Sequence, residues 1–184
     1  MKCALNKGRI TAVVGMCGAG KSEVTKVFLE EGYEKVYFGG VTMDVLEKRG
    51  LEKNEQNERS VREELRKTYG PAAFAILLVD KIRDLSEKGN VVLDGLYSWS
   101  EYKILKEEFP ELTLLCVTVD KELRYERLAK RPIRPLTKEQ ARSRDLSEIE
   151  NIEKGGPIAF ADVTLSNNGT LEELYEKVRG FIKG

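Results

Sequence analysis

The chain has 184 residues, enough for one domain of ordinary size, and its 41% hydrophobic and 34% charged residues are those expected of a soluble globular protein. Basic and acidic residues number 31 each, so no overall positive field attracts a polynucleotide, and no apolar run or leader pattern predicts a membrane span or signal peptide. Cys3, Cys17 and Cys116 are too scattered for a disulfide framework or zinc site and point to a reducing cytoplasm, while the lack of histidine excludes imidazole and Ser-His chemistry.

The spacing predicts a first strand over 9–14 and a helix from Lys21 to about Glu31, stopped by Gly32. Between them, Gly15-Met16-Cys17-Gly18-Ala19-Gly20-Lys21-Ser22 fits G-x-x-x-x-G-K-[ST] at every fixed position, in the strand-to-helix context that a phosphate-binding loop requires. Its backbone N–H groups are expected to cradle a triphosphate, with Lys21 on the β- and γ-phosphates and the Ser22 hydroxyl on Mg²⁺. Cys17, inside the loop near a helix N-terminus, reads as small filler or as an oxidation-sensitive thiol.

A second strand over 33–38 breaks at Gly39 and Gly40, and 41–49 is helical up to Gly50. The polar helix over 54–69 carries Glu55/Arg59, Glu58/Arg62 and Glu63/Lys67 at four-residue spacing, so these are expected to pair. Arg59, Arg62 and Arg66 share one face; Arg66 has Arg62, a like charge, four residues earlier and is the best candidate there to grip an acceptor phosphate. Pro71 is expected to open the next helix, 72–88, whose first half is apolar all round and should be buried.

Val91-Val92-Leu93 reads as a central strand ending at Asp94-Gly95, which places a carboxylate where it holds Mg²⁺ beside the loop. A helix over 99–109 with Tyr102, Leu105 and Phe109 inward is followed by a strand over 112–119, and Asp120 suits the N-cap of a helix over 121–130. From Arg124 to Arg144 lie eight basic residues against Glu126 and Glu139 alone, interrupted by Pro132 and Pro135. Arg131 and Arg144, then Arg127 and Arg134, are the candidates for a mobile lid that neutralises a transferring phosphoryl group. A helix over 138–153, a break at Gly155-Gly156-Pro157, a strand over 163–165 and a final helix with Leu171, Leu174, Val178, Phe181 and Ile182 on one face complete the chain. Strands alternating with helices predict a three-layer α/β/α fold with a five-stranded parallel sheet.

In these segments the sequence resembles the nucleoside monophosphate kinase superfamily, and most of all adenylate-kinase-related proteins linked to dephospho-coenzyme A kinase. The resemblance rests on the loop; on Leu65-Arg66 with Tyr69 to Ala75; on Val91 to Gly95; and on Arg144-Asp145 through Glu148, Gly155 to Ala159 and Ala161-Asp162 to Asn167. It implies one P-loop kinase domain over 1–184, with an acceptor-binding helical region at about 40–70, an arginine-rich lid at about 131–145, and a turn at Asn167, Asn168 and Gly169 near the donor base. By the same resemblance, Gly40 and Met43 stand where relatives carry an acceptor-site Asp and Arg, leaving Asp44 nearby, and Leu96, Tyr97 and Ser98 stand where an Arg often follows.

The expected function is therefore transfer of the γ-phosphoryl of ATP, with Mg²⁺, to a small phosphorylated acceptor such as a nucleoside monophosphate. Lys21, Asp94, Arg131 and Arg144 are its expected catalytic groups, with Arg127 and Asn168 at the donor and Arg62, Arg66, Asp44 and Gly40 at the acceptor. Lack of the Asp favours an acceptor already ionised; lack of the Arg argues the other way, and Asp44 or Asp94 stays open as a base. Dephospho-coenzyme A kinase and a regulatory nucleotide-binding switch stand as alternatives. A monomer or small homo-oligomer, without polynucleotide or membrane partners, is expected.

Overall fold

A computed structural model describes residues 8–184, and Cys3 lies outside the described residues. Five strands, β1 (Ile10–Val14), β2 (Glu34–Tyr37), β3 (Val91–Asp94), β4 (Thr113–Thr118) and β5 (Val163–Ser166), form one parallel sheet in the order β2-β3-β1-β4-β5. Their connections are helical: α1 (Lys21–Glu30), α2 (Gly40–Lys48), α3 (Glu55–Tyr69), α4 (Ala73–Ser86), α5 (Trp99–Glu108), α6 (Lys121–Ala129), α7 (Lys138–Glu150), α8 (Gly155–Ala159) and α9 (Leu171–Lys183).

The three layers follow from strand alternation, because successive side chains leave opposite faces of a sheet. Ala12 and Val14, Val91 and Leu93, and Leu114 and Cys116 pack with Leu46, Val61, Phe74, Ile82 and Leu105 of α2 to α5. Val13, Val92, Leu115 and Val117 pack on the other face with Val24, Val27 and Phe28 of α1 and Leu174 and Val178 of α9. With both faces covered, the central strands need apolar residues at nearly every position. Complete burial of a residue such as Phe28 or Leu105 is worth about 1.5–3 kcal/mol.

Several sequence expectations need correction. The break at Gly155–Pro157 is α8: Pro157 falls in the first turn, where its missing N–H would have no helical partner anyway. On α3, Arg59 reaches forward to Glu63 at 2.8 Å, and Arg62 binds both Glu55 and Glu58, so the Glu55/Arg59 and Glu63/Lys67 pairings are replaced. Asp120 stands at the start of α6 without a side-chain cap; its N–H instead donates to Asn168 Oδ1. The apolar first half of α4 is not buried all round, Ile76 being 43% exposed, and Leu171 of α9 is also exposed. α4 begins at Ala73, two residues after Pro71, and α7 ends at Glu150 rather than Glu153.

Candidate functional site

β1 ends at the middle of the sheet, and the chain crosses from its β3 side to its β4 side, so the segments after β1, β3 and β4 share one edge. Open parallel sheets bind ligands at that carboxyl edge. A cleft of about 660 Å³ beside Ile10, Phe109, Pro110 and Phe181 opens at the start of β1, away from the loop and its charged groups.

Glycine chemistry shapes the loop at two points. Gly15 has φ +145°, and a Cβ there would lie 2.4 Å from the Val117 carbonyl oxygen; Gly20 has φ +97°, and a Cβ there would meet Asn167 Nδ2 at 2.4 Å. A side chain is thus excluded by backbone conformation and by space. Asn167, 3% exposed, donates from Nδ2 to the Ala19 carbonyl at 2.9 Å and so holds the loop from the end of β5. Gly20→Ala should lower the unfolding free energy by about 1–3 kcal/mol. Gly180→Ala, in α9 with open space around it, should raise it by up to about 1 kcal/mol, and denaturant midpoints of the two variants measure the contrast.

Lys21 opens α1, and its Nζ donates to the Gly15 and Met16 carbonyls at 2.8 and 3.0 Å. Burial of that ammonium end, then repulsion from Lys154, lowers its pKa to about 8, against the pull of Glu148, Cys17 and Asp94. Ser22 is exposed on the first turn beside it.

Two acidic residues of α7 bear on the loop, Glu148 directly and Asp145 through Arg124. Glu148 Oε2 accepts from the Cys17 N–H at 3.2 Å and from Lys154 Nζ at 2.6 Å, while its Oε1 accepts from Arg144 Nε at 3.3 Å. Burial opposes ionisation of Glu148, but Lys154, with Lys21 and Arg144 behind it, holds the carboxyl below its ordinary range. Asp145 takes a two-pronged contact from Arg124 of α6, with Nη1 to Oδ1 at 2.8 Å, and a hydrogen bond from the Tyr125 hydroxyl. Arg124 Nη1 also donates to the Cys17 carbonyl at 2.9 Å. Cys17 itself is buried against Tyr125, Leu128 and Ala141.

The basic run divides by position. Arg124 is spent inside the fold and Lys138 on Glu122, whereas Arg127 donates to the Asn167 and Gly169 carbonyls and so fixes the turn after β5. The Asn168 side chain of that turn holds the Asp120 N–H. Arg131 and Arg134 are exposed on the link between α6 and α7, where Arg134 has φ 53°, and neither forms an ion pair among the described residues. Arg144 faces the loop from α7, near Cys17, Glu148 and Tyr97.

Asp94 ends β3 opposite Val13 and is paired with Lys35 of β2 at 2.7 Å. Beside it Tyr97 lies under Lys154, whose Nζ is 4.9 Å from the ring centroid, and burial, then Tyr37, Asp94 and Glu148, keep its phenol protonated. Arg66 lies over the Phe74 ring at 5.3 Å and eases the charge of buried Glu101 on α5; it has no ion pair among the described residues. Arg62 is committed to its two glutamates. Asp44 is exposed on α2, and a Cβ at Gly40 would make ordinary contact with Tyr37, so a larger residue has room there.

Sequence reasoning missed the roles of Lys35, Arg124, Asp145, Glu148, Lys154 and Asn167. A signal existed for the acids: Ala141, Asp145 and Glu148 fall at i, i+4 and i+7, a helix face of small and acidic residues at the end of the most basic stretch of the chain.

Residues 12–155 match the AAA domain family, and the chain is 37% identical over 179 residues to a UPF0200 protein of Thermococcus gammatolerans, covering 95% of this chain and 94% of the relative. This chain belongs to the UPF0200 protein family. It has a P-loop NTPase fold, and kinases are among its structural neighbours. They include the dephospho-CoA kinase of Campylobacter jejuni, 14% identical with a TM-score of 0.57, covering 96% of each chain. A shikimate kinase of Acinetobacter baumannii, in complex with shikimate, is 17% identical with a TM-score of 0.57, covering 97% of this chain and 95% of that one. At these identities the neighbours establish, for this member of the UPF0200 family, the three-layer fold alone. Among the described residues no helix of this family member is long and apolar enough to cross a membrane.

Proposed function

We propose that this chain transfers the γ-phosphoryl group of ATP to a small acceptor that already carries phosphate, a nucleoside monophosphate in the first instance. The observation that carries this reading is the loop at the centre of the sheet edge, with Lys21 on it and Arg144 facing it from α7. In it the loop amides and Lys21 hold the donor phosphates, Arg127 and Asn168 shape the turn beside the donor, and Arg131 and Arg144 close over the transferring group. Asp94, whose Oδ2 is the oxygen paired with Lys35, and the exposed Ser22 hydroxyl are hard oxygen donors, which suits Mg²⁺. When bound, that ion would neutralise charge on the phosphates.

The acceptor assignment rests on charge. Asp94 is occupied by Lys35, and a phosphate acceptor needs no base because it is already ionised. Arg66, free of carboxylate partners among the described residues, offers two parallel donors to such a phosphate. A second reading, a hydroxyl acceptor like that named by the dephospho-CoA kinase neighbour, is favoured by the fold and needs Lys35 to release Asp94.

ADP production from MgATP, measured with AMP, CMP, UMP, dTMP and dephospho-coenzyme A in turn, separates these readings. Turnover with a nucleoside monophosphate is expected; turnover with dephospho-coenzyme A alone replaces the first reading by the second, and MgATP binding with neither turnover nor saturable binding of any of these acceptors favours a regulatory switch. Arg66→Ala should raise the acceptor KM about 10- to 100-fold and leave MgATP affinity unchanged. Arg59→Ala, whose guanidinium is engaged by Glu63, is the control expected to change neither.

A further inference from the structure

Lys154 is 1% exposed, and its nearest anion is Glu148, at 2.6 Å. A cation is seldom buried this deeply, and an isolated buried pair is often no more stabilising than apolar residues of the same size. Glu153 adopts φ 54°, a left-handed conformation uncommon for a residue with a side chain, in the turn between α7 and α8 that precedes Lys154, whose ammonium lies over the Tyr97 ring.

What Glu148 touches distinguishes this pair from the one beside it. Asp145 is satisfied by Arg124 and Tyr125, structural groups at the base of α6 and α7. Glu148 instead contacts the phosphate loop itself at the Cys17 N–H, together with Arg144 and Lys154, and lies in the field of Lys21. One carboxylate therefore stands among three cations and a loop amide, the donor set that an oxyanion of a nucleotide would use.

We propose that Lys154 binds the terminal phosphoryl group of the donor nucleotide, and that Glu148 is an internal anion holding that position, and Lys154, until the nucleotide displaces it. The inference rests on the proposed function, since it takes the loop to bind a triphosphate. Entry of the terminal phosphate requires Glu148 to yield the Cys17 amide, and the Lys154 ammonium then passes from carboxylate to phosphate oxygen. The two members of one ion pair consequently have opposite effects on the nucleotide: Glu148 competes with the third phosphate and Lys154 attracts it.

The test is isothermal titration of the wild-type chain and variants with MgATP and MgADP, comparing the ratio of the two affinities. Glu148→Gln should raise the preference for ATP over ADP about tenfold and Lys154→Met should lower it about tenfold or more. A merely structural pair would weaken both nucleotides alike, so equal changes in the two variants, or an unmoved ratio, overturn the proposal. Should either single variant fail to fold, the Glu148→Gln/Lys154→Met double variant removes both charges together. Compared with the single variant that does fold, it should show an ATP-over-ADP ratio about tenfold below Glu148→Gln or about tenfold above Lys154→Met, and a ratio equal to that single variant's overturns the proposal. A wild-type chain that binds neither nucleotide sinks the proposed function first, whereas normal wild-type binding with an unmoved ratio in the variants sinks this inference alone.

Discussion

Lys21→Ala should reduce phosphoryl transfer at least 10²- to 10³-fold while leaving a folded protein. The reasoning has two parts. The ammonium is the one cation mounted on the loop, so its loss removes charge stabilisation at the phosphates themselves. Its contribution to folding is small, because burial and Lys154 disfavour its charged form and thereby offset the two hydrogen bonds it gives to Gly15 and Met16. The unfolding free energy at pH 7 is expected within about 1 kcal/mol of wild type, measured by denaturant titration, and unchanged turnover would remove Lys21 from the reaction.

The depressed pKa of Lys21 adds a pH signature. Burial lowers this pKa to about 8 in the folded chain, below the ordinary lysine value of 10.5, so between these limits the unfolded chain binds more protons than the folded one. Stability of the free protein should therefore rise with pH across that window, and the rise should be absent in Lys21→Ala. A bound triphosphate restores the charge, so binding above about pH 8 must take up a proton. MgATP affinity should fall as pH passes from about 8 to 10, with proton uptake visible as a dependence of the titration heat on buffer; a pH-independent affinity in this range would contradict the role given to Lys21.

What the sequence disclosed followed from local rules. Strand alternation, glycine stops and the loop motif are set by residues near one another in the chain, and these gave the five parallel strands and the position of Gly15 to Ser22. The errors came where partners were decided at a distance. Arg59 had glutamates four residues away on both sides, and spacing alone could not choose Glu63 over Glu55. Asp94 was correctly placed at the sheet edge, but its neutralisation by Lys35 depends on β2 lying beside β3, which the chain order does not state. Arg124 reads in the sequence as one of eight basic residues in its stretch; only the folded chain brings Asp145, 21 residues on, against it. The acids of α7 carry no local sign of their chemistry, because a carboxylate in a phosphate site runs against the expected sign of charge.

The Arg124–Asp145 pair sets up the largest effect on stability. Both side chains are buried, Arg124 spans the Cys17 carbonyl and Asp145, and Tyr125 completes the carboxylate. Asp145→Asn leaves the guanidinium charged and uncompensated in that interior, a loss of about 3–5 kcal/mol. Arg124→Met strands the carboxylate instead and also releases Cys17, so it should match that loss and weaken MgATP binding as well. Replacing both by apolar residues, as in Arg124→Met/Asp145→Leu, removes the stranded charge and should recover most of the stability, but the Cys17 carbonyl stays without its donor and the loop stays loosened. Denaturant midpoints and MgATP titrations on the three variants therefore separate two contributions. If the double variant regains stability without regaining nucleotide affinity, the pair positions the loop; if it regains both, Arg124 serves only to neutralise Asp145, and the hydrogen bond to Cys17 is incidental to binding.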